Sequence, residues 1–163
     1  MVAWVAWRAA LPASAVTRLC SGAIVSTSRQ TYHHGDLPNT LKRIALELID
    51  EKGVNEFTLR DAAQQAGVSH SAAYRHFADK AALLAAVAED GFEKIHTQIA
   101  DARDRVGDDP IARYVAIGVA YLSFAIANPA YFRLMYGPSS PDRSSFPRLR
   151  ELDMSTYQIA IGV

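Results

Sequence analysis

Hydrophobic positions recur every three or four residues along most of this chain, and no stretch alternates apolar with polar as a strand would. The pattern predicts an all-α fold. Leu41, Ile44, Ala45, Leu48 and Ile49 form a stripe on a first helix from about Leu37 to Lys52, with Asp36 as N-cap, Pro38 in the first turn and Gly53 as the stop. Thr58 opens a short second helix, and Asp61 completes a weak capping box. Gly67 and Val68 form a tight turn. Ser69 then caps a third helix, with Ala72, Ala73 and Phe77 as its buried side. The small side chains of Ala62, Ala63 and Ala66 let the second and third helices approach steeply.

The remaining helices are longer. Asp79 caps a fourth of roughly seven turns, striped by Leu83, Leu84, Val87, Phe92, Ile95, Ile99 and Val106, with Gly91 as a soft spot and Gly107 as its end. Asp109-Pro110 and Asn128-Pro129 each read as a cap followed by a first-turn proline, and they start the fifth and sixth helices. The fifth keeps its period through Ile111, Tyr114, Val115, Gly118, Tyr121, Leu122 and Ala125. The sixth carries Tyr131, Phe132, Leu134, Met135 and Tyr136 and stops at Gly137. A Ser/Pro/Gly-rich loop follows to Pro147, and a weak stripe of Leu149, Leu152 and Ile159 suggests a seventh helix from Arg148 to about Ile161.

Met1 to Gln30 stands apart. It holds both tryptophans and the lone cysteine, and no acidic residue. It fits a signal peptide, with Val2 to Leu11 apolar and Ala13-Ser14-Ala15 resembling a cleavage site, although Arg8 interrupts the run. It also fits a DNA-touching arm through Arg18 and Arg29. The favoured reading is a disordered or non-native extension from an upstream start, because regular patterning begins only after Gln30.

Composition narrows the classes. The chain has 163 residues, half of them hydrophobic, which is enough for one ordinary domain or a small head plus an incomplete body. Its 17 basic and 17 acidic residues balance, so phosphate binding must come from local placement and not from a global field. Cys20 alone excludes an internal disulfide framework and a zinc finger, and it suits a reducing, cytoplasmic setting. No apolar run reaches the ~18 residues that a bilayer span needs, so no membrane partner is expected. His33-His34 lacks a third ligand and reads as surface, so no metal is expected. Nothing points to another cofactor.

A small helix pair with a glycine turn and an exposed Tyr/Arg/His-rich second member has the shape of a DNA reader. The run TLRDAAQQAGVSHSAAYRHFADKAALLAAV, from Thr58 onward, resembles the head of TetR-family transcriptional regulators. Thr58, Ala63, Ala66, Gly67, Val68, Ser69, Tyr74, His76, Phe77, Lys80, Leu83 and Leu84 carry the match. YLSFAIANPAYFRLMYG resembles, more weakly, the WHG-type C-terminal region of some members. The resemblance implies a helix-turn-helix head over residues 31–82 and an effector-binding and dimerisation body over 83–163. The chain departs from the family pattern by stopping at Val163, where the seventh helix is still running, so the body is expected to be incomplete.

The resemblance implies phosphate contacts from Thr58, Tyr74, His76 and Lys80. It implies base-edge contacts from Arg60, His70, Ser71 and Arg75, with Ser69 in the same DNA-binding set. The chemistry suits these residue types: Tyr and His give directed hydrogen bonds, Lys gives a point charge, and Arg pairs with guanine. The plainer alternative is a solvated face on which Arg75 pairs with Asp79 one turn on. Phe92, His96, Tyr114, Tyr121, Phe124, Phe132 and Met135 are candidates to line a pocket for a small-molecule effector, and they serve equally well as plain core. Double-stranded operator DNA and a second copy of the chain are the partners implied, and a ligand-responsive repressor is the implied function. The alternative is a truncated, monomeric DNA-binding fragment without an effector response. No nucleophile elbow, phosphate loop or metal-ligand cluster supports an enzyme.

Overall fold

The computed structural model describes residues 36–161, which lie in one compact unit. The readings placed on Met1 to Gln30 and on His33-His34 fall outside them. Seven helices follow in order: α1 (Leu37–Lys52), α2 (Leu59–Gln65), α3 (His70–Tyr74), α4 (Lys80–Asp104), α5 (Pro110–Ala127), α6 (Pro129–Tyr136) and α7 (Pro147–Ala160). There is no strand among the described residues.

The head forms where the apolar stripe of α1 meets α2 and α3. Leu41, Ile44, Ala45, Leu48 and Ile49 are all buried, as are Ala62, Ala63 and Ala73. Phe57 closes the loop side at 3% exposure. The α1–α2 junction is sealed by Gly53, whose N–H donates to the Ile49 carbonyl. Asp36 stands at the N-cap of α1, but its side chain makes no capping bond. Its backbone carbonyl instead accepts from the Thr40 amide and hydroxyl.

Helix α4 is shared between head and body. It packs on α1, where Lys42 pairs with Asp90, and on α5, α6 and α7. Leu83, Leu84, Val87, Phe92, Ile95 and Ile99 are buried as the stripe predicts, whereas Val106 lies beyond the helix end and is exposed. The helix finishes at Asp104, before Gly107, which takes a positive φ in the following turn. Gly91 is not a soft spot. A Cβ there would meet Met135 Sδ at 2.6 Å and Tyr131 Cδ1 at 2.8 Å, so the glycine lets α6 approach α4.

Two expectations about α5 are corrected. The helix is 18 residues long with a mean hydropathy of 1.5, so by length and composition it could cross a membrane. The expected apolar stripe also lies on the outside. The side packed on α4 is Ile117, Ala120 and Phe124, while Ile111, Tyr114, Val115, Val119, Leu122 and Ile126 are exposed. Only 17% of the helix is buried. Apolar residues surround it, so periodicity alone could not select its inner face. Asn128 precedes α6 but gives it no side-chain cap. Its Nδ2 donates to the Phe124 carbonyl and closes α5 instead. Helix α7 buries Leu149, Leu152, Thr156 and Ile159.

Candidate nucleic-acid interface

Helix α2 begins with a complete capping box. The Thr58 hydroxyl oxygen accepts from the Asp61 amide, and the Asp61 carboxylate accepts from the Thr58 amide at 2.7 Å. The Thr58 hydroxyl, which also donates to the Asp61 carboxylate at 2.8 Å, and then the Thr58 amide hold the Asp61 carboxyl below its ordinary value. The chain then reverses at Gly67, whose φ of +71 explains why glycine stands there. The Val68 amide donates back to the Ala63 carbonyl, and Ser69 caps α3 by accepting from the Ala72 amide.

Helix α3 is shorter than the span of about 69–77 expected from sequence. Regular α geometry covers His70–Tyr74, and Arg75 and His76 form a turn. The cause is local. The His76 and Phe77 amides both donate to the Ala73 carbonyl, which tightens the last turn. Phe77 is thereby directed into the core, and Asp79 is free to cap α4 through the Ala82 amide.

The structure brings the predicted DNA-binding residues to the α2–α3 edge of the head. Thr58, Arg60, Ser69, His70, Ser71, Tyr74, Arg75 and His76 are all exposed, Tyr74 at 53%. Among the described residues Arg75 and Asp79 form no ion pair, because the Asp79 carboxylate is engaged as a cap. Lys80 differs from the rest. It is partly buried, its Nζ lies 4.3 Å from the Phe57 ring centroid, and burial lowers its pKa against the opposing pull of Glu56 and Asp61. Phe57 was not singled out for the interface in the sequence, since the residue before a helix cap reads as loop closure.

In the body, Phe92, Phe124 and Met135 are buried, Tyr121, Phe132 and His96 are half-buried, and Tyr114 is exposed at 77%. Phe92, Tyr121 and Phe132 meet around Tyr136, with the Tyr121–Phe132 and Phe92–Tyr136 rings edge to face at 5.6 Å. Burial, then the neighbouring Tyr121 and Asp153, push the Tyr136 hydroxyl far above its usual range. No pattern in the chain marks Arg143. It lies in the α6–α7 loop with its guanidinium 5.6 Å from the Phe92 centroid, paired with Asp153 and donating to the Met135 carbonyl. The His96 Nδ1 is buried with no hydrogen-bond partner among the described residues.

Two open clefts lie among the described residues. One, of about 330 Å³, lies between α1 and α6 against Arg43, Glu47, Asp50 and Tyr131. The other, of about 620 Å³, lies between α1 and α4 against Lys42, Asp90 and Lys94. Neither is lined by the seven candidate effector residues. No cluster of three potential metal ligands occurs among the described residues.

A capped, exposed reading helix behind a glycine turn, set on a helical body, defines a helix-turn-helix protein. Residues 43–87 match the profile of the bacterial regulatory proteins, tetR family. The chain is 38% identical over 96 residues to the tetracycline repressor protein class A from transposon 1721 of Escherichia coli, covering 59% of this chain and 38% of that protein. It is 30% identical over 128 residues to an HTH-type transcriptional regulator of Mycobacterium tuberculosis, covering 72% of this chain and 53% of that one. A solved structure of a protein of unknown function from Rhodococcus sp. RHA1 superposes with a TM-score of 0.68 at 35% identity, over 80% of this chain and 66% of that one. Through its head, the chain is similar to TetR-family transcriptional regulators. It spans between 38% and 53% of the length of the curated relatives it matches.

Proposed function

We propose that this chain acts as a DNA-binding transcriptional regulator, a ligand-responsive repressor that sets α3 and the following turn into the major groove. The observation that carries this reading is the exposed set from Thr58 to His76, held on rigid caps with Arg75 free of Asp79. Arg75 and His70 face base edges, and Thr58, Tyr74, His76 and Lys80 hold phosphates. Because net charge is zero, affinity rests on these placed groups and on two heads acting together, with half-sites about 34–36 Å apart.

The effector acts on the aromatic cluster of Phe92, Tyr121, Phe132 and Tyr136. A buried and unpaired His96 Nδ1 is the kind of group that a ligand's donor would satisfy. Helix α4 runs from this cluster to the head, so a ligand that parts the rings would shift the heads of a dimer and lower operator affinity. The alternative is a monomeric DNA binder without effector response; the exposed apolar face of α5 speaks for association and against it.

Selection of duplexes from a random library tests both. An inverted repeat supports paired heads, and a single half-site supports the monomer. Arg75→Ala should lower specific affinity by about 1–3 kcal/mol and relax one base position. If the chain shows no salt-sensitive binding to any duplex, the DNA reading is lost.

A further inference from the structure

Lys80 stands where a cation is costly. It is the first residue of α4, where the helix dipole disfavours positive charge, and its surroundings are partly desolvated. The charges of Glu56 and Asp61 favour the cation from nearby, and its Nζ lies 4.3 Å from the centroid of the Phe57 ring. Phe57 is 3% exposed, so the core locks the ring in place. It also directly precedes Thr58, the N-cap of α2. The ring therefore ties the start of α4 to the start of α2, the two helix starts that carry the proposed phosphate contacts Lys80 and Thr58. Core packing alone would accept any large apolar side chain at position 57. An aromatic face adds something an aliphatic one lacks: it holds an ammonium in place without neutralising it, as a carboxylate would.

We propose that Phe57 is a positioning residue for DNA binding, whose ring holds the Lys80 ammonium at the start of α2 ready for a backbone phosphate. This rests on the DNA-binding reading above. The phosphate contact is sequence-independent, so it is measurable without knowing the operator.

The test uses the full chain and a mixed-sequence DNA duplex, with affinity followed by fluorescence anisotropy across a salt series. Lys80→Ala should weaken binding and reduce the logarithmic salt slope by about one. Phe57→Leu keeps an apolar side chain in the core, and it should weaken binding about two- to fivefold in the presence of Lys80 and not at all in the Lys80→Ala background. Phe57→Tyr, which keeps the ring, should bind as the parent does. Equal losses from Phe57→Leu with and without Lys80 would assign the ring to packing and overturn the proposal. So would parental affinity for Phe57→Leu, or an unchanged salt slope for Lys80→Ala; in both cases duplex binding by the parent chain leaves the DNA reading standing. Failure of the parent chain to bind the duplex would remove both.

Discussion

The head and the body are both helical, and both bury a continuous stripe, yet they close very differently. In the head, α1, α2, α3 and the start of α4 surround their own core, and Tyr74 is the one large apolar residue exposed there among the described residues. In the body, α5 turns one apolar side onto α4 and presents another, from Ile111 to Ile126, to solvent; Met154, Tyr157 and Ile161 of α7 are exposed as well. The same chemistry therefore has opposite consequences in the two regions. An apolar face against neighbours is stability, whereas one left open is a surface for association or a liability. The head encloses its own core, whereas the body leaves an apolar face of α5 exposed.

The sharpest way to break this contrast is a charge placed in each region. Leu48→Glu, at 2% exposure in the head, should unfold it, with a loss above about 4 kcal/mol in urea titration. The pair Val119→Glu and Leu122→Glu, at 59% and 61% exposure, should each change the stability of this chain by no more than about 0.5 kcal/mol. A large loss at those positions would show that the α5 face is covered in solution. Gly91→Ala comes next in size. Helix propensity favours alanine by up to about 1 kcal/mol, but the clash with Met135 and Tyr131 should outweigh it, for a net loss of about 1–2 kcal/mol in thermal unfolding. Thr58→Ala removes half of the capping box and should cost about 1 kcal/mol, again by urea titration.

The smallest effect is one of pH. The folded Asp61 carboxyl lies below its ordinary value of 3.8, so its contribution is present above that value and is lost as pH falls through the folded one. The difference in unfolding midpoint between the parent chain and Asp61→Ala should be present at neutral pH and vanish in acid. A difference that persists there would assign the bond another role.

Much of the interface was legible because it depends on short-range rules. Thr58, Gly67, Ser69 and Asp79 each satisfy a local backbone requirement, and the sequence spacing shows them directly. The length of α3 was not legible. Its final turn tightens so that Phe77 can enter the core, which is a tertiary demand. Likewise the Phe57–Lys80 contact joins a loop residue to the first residue of α4, and the Arg143 contacts arise from a segment that reads only as linker.

The sequence alone determined the helical class, the order of the helices, the caps of α2, α3, α4 and α5, and the buried stripes of α1 and α4. Those follow from periodicity and backbone hydrogen bonding, which act within a few residues. Tertiary structure decided which side of α5 faces inward, why Gly91 is glycine, and which groups gather around Lys80 and Phe92. A helix that is apolar on every side carries no periodic signal of its partner, and contacts between distant segments exist only once the chain has packed.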